Sequence, residues 1–158
     1  IFAKANTTPK YFLREIKGDE IYNHEVGESV TVDVFKAGEI VDVTAVSKGH
    51  GYSGVIKKYG KHIGPKGHGS GYHRQIGSLA TNGRCNNRVH PGKKMSGHYG
   101  NVQRTISNLL VVSVDASKNC ILIKGSVPGP KKSILKIKTS AKLGNKTKAV
   151  KPLVSYAD

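Results

Sequence analysis

Tryptophan is absent from this chain, aromatics make up 6% of it, and hydrophobic residues make up 37%. A large aromatic core is excluded; Val, Ile and Leu must carry a modest one, below the roughly 45–50% apolar content of ordinary globular domains. Only two cysteines occur, Cys85 and Cys120. They form no close-spaced pair, which argues against a disulfide framework and for a reducing compartment. No run of 18 apolar residues exists, so no helical membrane span is expected. The most consequential absence is of negative charge. Across the 72 positions from Val43 to Val114 there is no Asp or Glu at all.

That acid-free stretch holds eleven of the 26 Lys and Arg residues, thirteen of the 19 glycines and six of the seven histidines. Like charges concentrated in a solvated loop repel one another. Removing every carboxylate makes sense where the segment lies against a dense polyanion, with structured RNA the leading candidate. The formal net charge of +16 and pI near 9.9 agree. The charge is uneven: residues 1–42 sum to −3, residues 43–114 to +11, and residues 115–158 to +8. The 158 residues fit one domain, one small core with an extension.

Apolar patterning predicts short strands. Ser29–Phe35 alternates Val30, Val32 and Val34 against Thr31 and Asp33, the signature of a half-buried strand. Glu39–Val46 resumes with Val41 and Val43 on one face. Ile106–Val114 and Cys120–Lys124 flank Asp115-Ala116-Ser117-Lys118-Asn119, whose composition suits a hairpin turn. Ser133–Lys138 alternates once more, with Lys136 and Lys138 outward. Only Tyr52–Tyr59 reads as helical within the basic segment, ended by Gly60. The fold expected is mainly β: a small barrel or sandwich with a long, basic, largely irregular extension. The division is 1–46 as barrel, 47–105 as RNA-binding extension, 106–138 as further barrel strands, and 139–158 as a Lys-rich tail.

Several motifs point elsewhere and fail on context. Gly49-x-Gly51-x-x-Gly54 matches a dinucleotide-binding fingerprint, but no acidic residue follows before Asp115 and the helix stops at Gly60. Gly54 to Gly60-Lys61 has five intervening residues where a phosphate-binding loop needs four, and His62 stands where Ser or Thr would hold magnesium. His68 and His73 with Cys85 and His90 lack the close-spaced pairs of structural zinc and sit among cations. No carboxylate in the segment can serve a His as partner, so neither catalysis nor a cofactor, metal or small-molecule substrate is expected.

Cations neutralise phosphates, while histidine and tyrosine rings stack on splayed bases or bond phosphate. The candidate RNA-binding residues are therefore Lys48, Tyr52, Lys57, Lys58, Lys61, Lys66, His68, Tyr72, His73 and Arg74. Arg84, Arg88, Lys93, Lys94, His98, Tyr99 and Arg104 continue the series, with Lys131 and Lys132 beyond the segment. The ordinary alternative for Tyr52 and Tyr59 is that they pack the short helix. The rivals to a structural RNA-binding protein are an RNA-dependent enzyme on a small barrel and a basic nucleic-acid-binding module that stays ordered in free solution.

Four stretches carry a family resemblance: S-K-G-H-G-Y-S-G-V-I-K-K (47–58), H-G-S-G-Y-H-R-Q-I-G-S-L (68–79), P-G-K-K-M-S-G-H-Y-G (91–100), and N-L-L-V-V-S-V-D with N-C-I-L-I-K-G-S-V-P-G-P-K (108–131). With K-A-N-T-T-P-K-Y-F-L-R-E and V-G-E-S-V-T-V-D-V-F near the start, the chain resembles the universal large-subunit ribosomal protein L three family, in its bacterial or organellar form. The resemblance implies a translation-protein-type β-barrel with an extension threading through ribosomal RNA toward the peptidyl-transferase centre. It implies binding near the 3′ end of the large-subunit RNA, a role in subunit assembly, neighbouring large-subunit proteins as partners, and no membrane. The cytoplasmic ribosome of a bacterium is the location implied first, an organellar ribosome the alternative. Further barrel strands normally precede the equivalent of Ile1, and the start at Ile1 reads as that of a truncated chain. Val89–Gln103 corresponds to the innermost tip. A methylated Gln of bacterial members falls on His98, so that modification does not carry over.

Overall fold

The computed structural model describes residues 2–18, 22–79, 88–144 and 146–151. Two compact units divide the chain. The first comprises Ile1–Glu39, Leu110–Lys124 and Thr147–Asp158; the second comprises Ile40–Leu109 and Gly125–Lys146. The described elements are mostly strands, as the patterning predicts. They are β1 (Ile40–Val46), β2 (Tyr52–Ser53), α1 (Val55–Tyr59), β3 (Gly97–His98), β4 (Gln103–Asp115), β5 (Cys120–Lys124) and β6 (Lys136–Thr139).

In the second unit, β1 is the central strand. Val41, Val43 and Ala45 are buried on one face, with Ile40 buried beside them, while Asp42 and Thr44 between them are half-buried. β6 pairs with it antiparallel, setting Val41 opposite Thr139 and Val43 opposite Ile137. The first half of β4 lies on its other side. There the Thr44 and Thr105 hydroxyls share a hydrogen bond of 2.7 Å, and the Ser47 amide donates to the Val102 carbonyl at 2.9 Å. Val55 and Leu109 complete this unit's core. Lys136 and Lys138 face out, as alternation predicts.

Asp42 joins three pieces of the second unit. Its Oδ1 accepts the Asn108 amide at 2.8 Å and its Oδ2 accepts the Ala141 amide at 3.1 Å. Asn108 takes a left-handed φ of 61° within β4. Its side-chain oxygen accepts the buried Ser140 hydroxyl at 2.7 Å.

In the first unit, the second half of β4 and β5 form an antiparallel hairpin from Leu110 opposite Lys124 to Asp115 opposite Cys120, with a bulge between Val111 and Ser113. The hairpin turn falls where its composition predicts. Asp115 Oδ1 accepts from the Ser117 hydroxyl at 2.6 Å and from the amides of Ser117 and Lys118. Gly38, at φ 90°, donates to the Val111 carbonyl, and its own carbonyl accepts from Lys148. A Cβ at Gly38 would stand 2.8 Å from the Lys148 carbonyl oxygen, so only glycine fits without a shift.

One strand expectation fails. Within Ser29–Phe35 the backbone forms a 3-10 turn at Val32–Val34, and Val30 and Val34 are each 61% exposed. Alternation needs an apolar surface to alternate against, and this segment finds none. What holds it is polar: the Val32 amide donates to the Asn119 side chain at 3.3 Å. The helix is also shorter than Tyr52–Tyr59, because Tyr52 and Ser53 join a strand instead.

Candidate nucleic-acid interface

Leaving β1, the chain enters a narrow two-stranded ribbon. β2 pairs antiparallel with β3, Tyr52 opposite His98 and Ser53 opposite Gly97. Main-chain bonds continue that pairing toward β1: His50 donates to Tyr99 at 2.8 Å, Tyr99 to Gly51 at 2.9 Å, and Asn101 to Ser47 at 3.2 Å. Both ends of the basic segment are thus tied together, while residues 61–79 between them are irregular. Gly97–Val102 is the returning limb of this ribbon, beside Ser47–Tyr52, where the resemblance implies a distant tip.

Helix α1 is one turn long, too short to persist on propensity. Burial of Val55 anchors it, and Gly60 in the left-handed region caps it, its amide reaching the Ile56 carbonyl at 2.8 Å. The helix carries Lys57 and Lys58. Lys58 Nζ lies 5.4 Å and Lys94 Nζ 5.6 Å from the centroid of the Tyr59 ring, so one ring gathers its sequence neighbour and a cation 35 positions on. Tyr52 meets His98 edge-on at 5.9 Å, and His50 stacks on Tyr99 with centroids 4.8 Å apart and planes 23° from parallel.

Lys48, Tyr52, Lys58, Lys94, His98 and Tyr99 therefore belong to this ribbon and its helix. Lys57, Lys66, His68, Arg74, Arg88, Lys93 and Arg104 are solvent-exposed, Lys61 half-buried, and Lys131 and Lys132 exposed after β5. Tyr72 and His73 serve the loop itself. The Tyr72 hydroxyl donates to the Gln75 carbonyl at 3.0 Å, and a Cβ at Gly64 would strike the Tyr72 ring and carbonyl. His73 Nδ1 donates to the Pro65 carbonyl at 2.8 Å. Arg84 and Cys85 lie outside the described residues.

Among the described residues, the ion pairs are Lys17–Glu15, His24–Glu28 and Lys118–Asp115. No described cation of positions 43–114 takes part. The carboxylates at the segment's borders have partners outside it or on its edge: main-chain donation from Asn108 and Ala141 holds Asp42 below the usual carboxylate range, and the Ser117 hydroxyl does the same for Asp115. No three His, Cys, Asp or Glu side chains among the described residues converge as a metal site would require. No described helix is long and apolar enough to cross a membrane.

Sequence reasoning missed three participants. His50 is not among the candidates read from the sequence; its stacking on Tyr99 depends on pairing across roughly fifty residues. Tyr59 sat between basic residues without a visible partner in Lys94. Ser133 gave no signal at all, yet its buried hydroxyl lacks a hydrogen-bond partner in the described structure.

A family model described as Ribosomal protein L3 matches residues 19–120. The chain belongs to that family. Relatives called large ribosomal subunit protein uL3 include one from Latilactobacillus sakei, 55% identical over 140 residues, which cover 89% of this chain and 65% of the relative. One from Pediococcus pentosaceus is 52% identical with the same coverages, and one from Geobacillus kaustophilus is 49% identical over 92% of this chain and 68% of the relative. This member of the Ribosomal protein L3 family thus spans just under two thirds of the first two relatives. The matched region takes in the whole ribbon, the helix and the acid-free segment.

Proposed function

We propose that this chain is a structural, RNA-binding constituent of the large ribosomal subunit in a bacterial cytoplasm. It binds large-subunit ribosomal RNA near the 3′ end, beside neighbouring ribosomal proteins, aids assembly, and helps shape the peptidyl-transferase centre through its basic segment. Its role is to hold RNA in place rather than to perform chemistry. The observation that carries this reading is the set of described segment cations, none of which has an ion pair, in a member of the Ribosomal protein L3 family. Unpaired cations in an acid-free stretch are supplied with counter-charge by phosphate. The bacterial relatives support the compartment.

The test is co-sedimentation with the large subunit after a high-salt wash, comparing the wild-type chain with Lys57→Glu/Lys58→Glu. The wild-type chain is expected to stay bound. The double reversal sets two carboxylates against phosphate on the outward side of α1, and is expected to accumulate in pre-subunit fractions. A wild-type chain that washes off, or a silent double reversal, overturns the reading.

A further inference from the structure

A cleft opens at the root of the ribbon, entirely within the second unit. One depression of about 280 Å³ is lined by Ser47, Lys48, His50, Tyr99, Val127 and Gly129 among others. A second of about 460 Å³ adjoins it through Ser47, Lys48 and His50, and adds Asn101, Pro130 and Ser133. Their sizes fall in or near the range of about 300–1,000 Å³ typical of small-ligand sites. The walls are built rather than incidental. Gly100, at φ 75°, stands so near the Lys48 carbonyl that a Cβ would collide with it. A Cβ at Gly129 would meet the Val46 carbonyl oxygen and the Ser133 hydroxyl at 2.8 Å each. The hydrogen bonds of His50, Tyr99 and Asn101 hold the facing limb in register.

The chemistry of the lining is specific. One cation, a stack of two rings, and apolar sides at Val46, Val127 and Pro130 converge, and no carboxylate is present. A metal ion finds no ligand set there. A phosphate alone would leave the rings and apolar sides unused. A duplex would too, because its bases are already stacked and A-form RNA meets proteins through shape and backbone.

We propose that this cleft receives one unstacked nucleotide of RNA, its base against the His50–Tyr99 pair and its phosphate met by Lys48. The proposal rests on the RNA-binding reading above and adds a site to it.

The test uses the whole chain with a short single-stranded RNA carrying one 2-aminopurine, and with a duplex bearing the same number of phosphates. His50→Ala and Tyr99→Ala are compared with wild type. Both leave the main-chain bond between the two residues in place. Each is expected to weaken single-strand binding about tenfold, from the loss of stacking, with duplex binding changed by less than about twofold. The 2-aminopurine emission should change on binding to wild type and less so with His50→Ala. Equal losses for both RNAs, no loss for either, or full displacement by inorganic phosphate would overturn the cleft proposal. Displacement by AMP as readily as by unlabelled oligonucleotide would make it a free-nucleotide site, and overturn it too. A wild-type chain that binds the duplex with no single-strand preference removes the cleft alone. One that binds neither removes the RNA reading with it.

Discussion

Asp42 is the only acidic side chain on β1, and it accepts main-chain hydrogen bonds from Asn108 and Ala141, which lower its pKa. A carboxyl group with a depressed folded-state pKa contributes stability that is present above its ordinary value near 3.8 and is lost as pH falls through the folded value. Asp42→Asn keeps one acceptor and turns the other into a donor facing the Ala141 amide. The variant should have a lower urea midpoint at neutral pH, and the gap should close as pH falls below about 4. A gap constant down to acid pH would mean that the Asp42 charge contributes nothing. Gly100 makes a second test at the residue scale. With φ at 75° and the Lys48 carbonyl against its open side, Gly100→Ala should cost at least about 1–3 kcal/mol in urea unfolding. Gly54→Ala, at φ −68° with open space around it, should cost less, about 0.5–1 kcal/mol, because Ala is a poorer helix N-cap than Gly.

Two valine-rich segments of almost identical appearance have opposite fates at the scale of elements. β1 and the Val30–Val34 stretch both alternate β-branched with polar residues, yet Val43 is fully buried and Val34 is 61% exposed. The difference lies in neighbours: β1 has a strand on each side in its unit, whereas Val32–Val34 is a 3-10 turn tied to the Asn119 side chain. Val43→Ala should therefore destabilise by about 1.5–3 kcal/mol, from lost transfer energy and the cavity left behind. Val34→Ala should stay within about 0.5 kcal/mol, as exposed substitutions do. Equal costs in denaturant unfolding would show that the Val30–Val34 stretch is buried after all. Within the basic segment, β2 and β3 are two residues each and were invisible to periodicity, since so short a strand has no period to show.

Charge acts at the scale of the whole molecule. A net +16 with no ion pair among the described cations of the acid-free segment leaves those charges available to phosphate. If about six to eight of them engage RNA, log K for the large-subunit RNA should fall against log salt with a slope of about −4 to −7. Titrations across salt concentrations check this directly; a slope near −1 would mean that the charges face solvent. Because that term is spread over many side chains, single neutralisations should each shift the slope by roughly one.

Composition and charge order alone determine the mainly β class, the strands at β1, β4 and β5, the hairpin turn at Asp115–Asn119, and the acid-free segment that marks a polyanion face. These are local or additive properties: β-branched residues in a short run favour extended backbone, and Lys and Arg keep their charge wherever the chain goes. Tertiary structure alone decided which valines found a partner surface, because burial depends on what a strand lies against and not on its own alternation. It also decided that His50 stacks on Tyr99, that Lys58 and Lys94 share the Tyr59 ring, and that Ser133 lines a cleft with Lys48. Each of these pairs joins residues about 35 to 85 positions apart, brought together by the pairing of β2 with β3 and the return of the chain after β5. No periodicity within either partner encodes such a meeting, since side chains that far apart in the chain meet only when strand register sets their places.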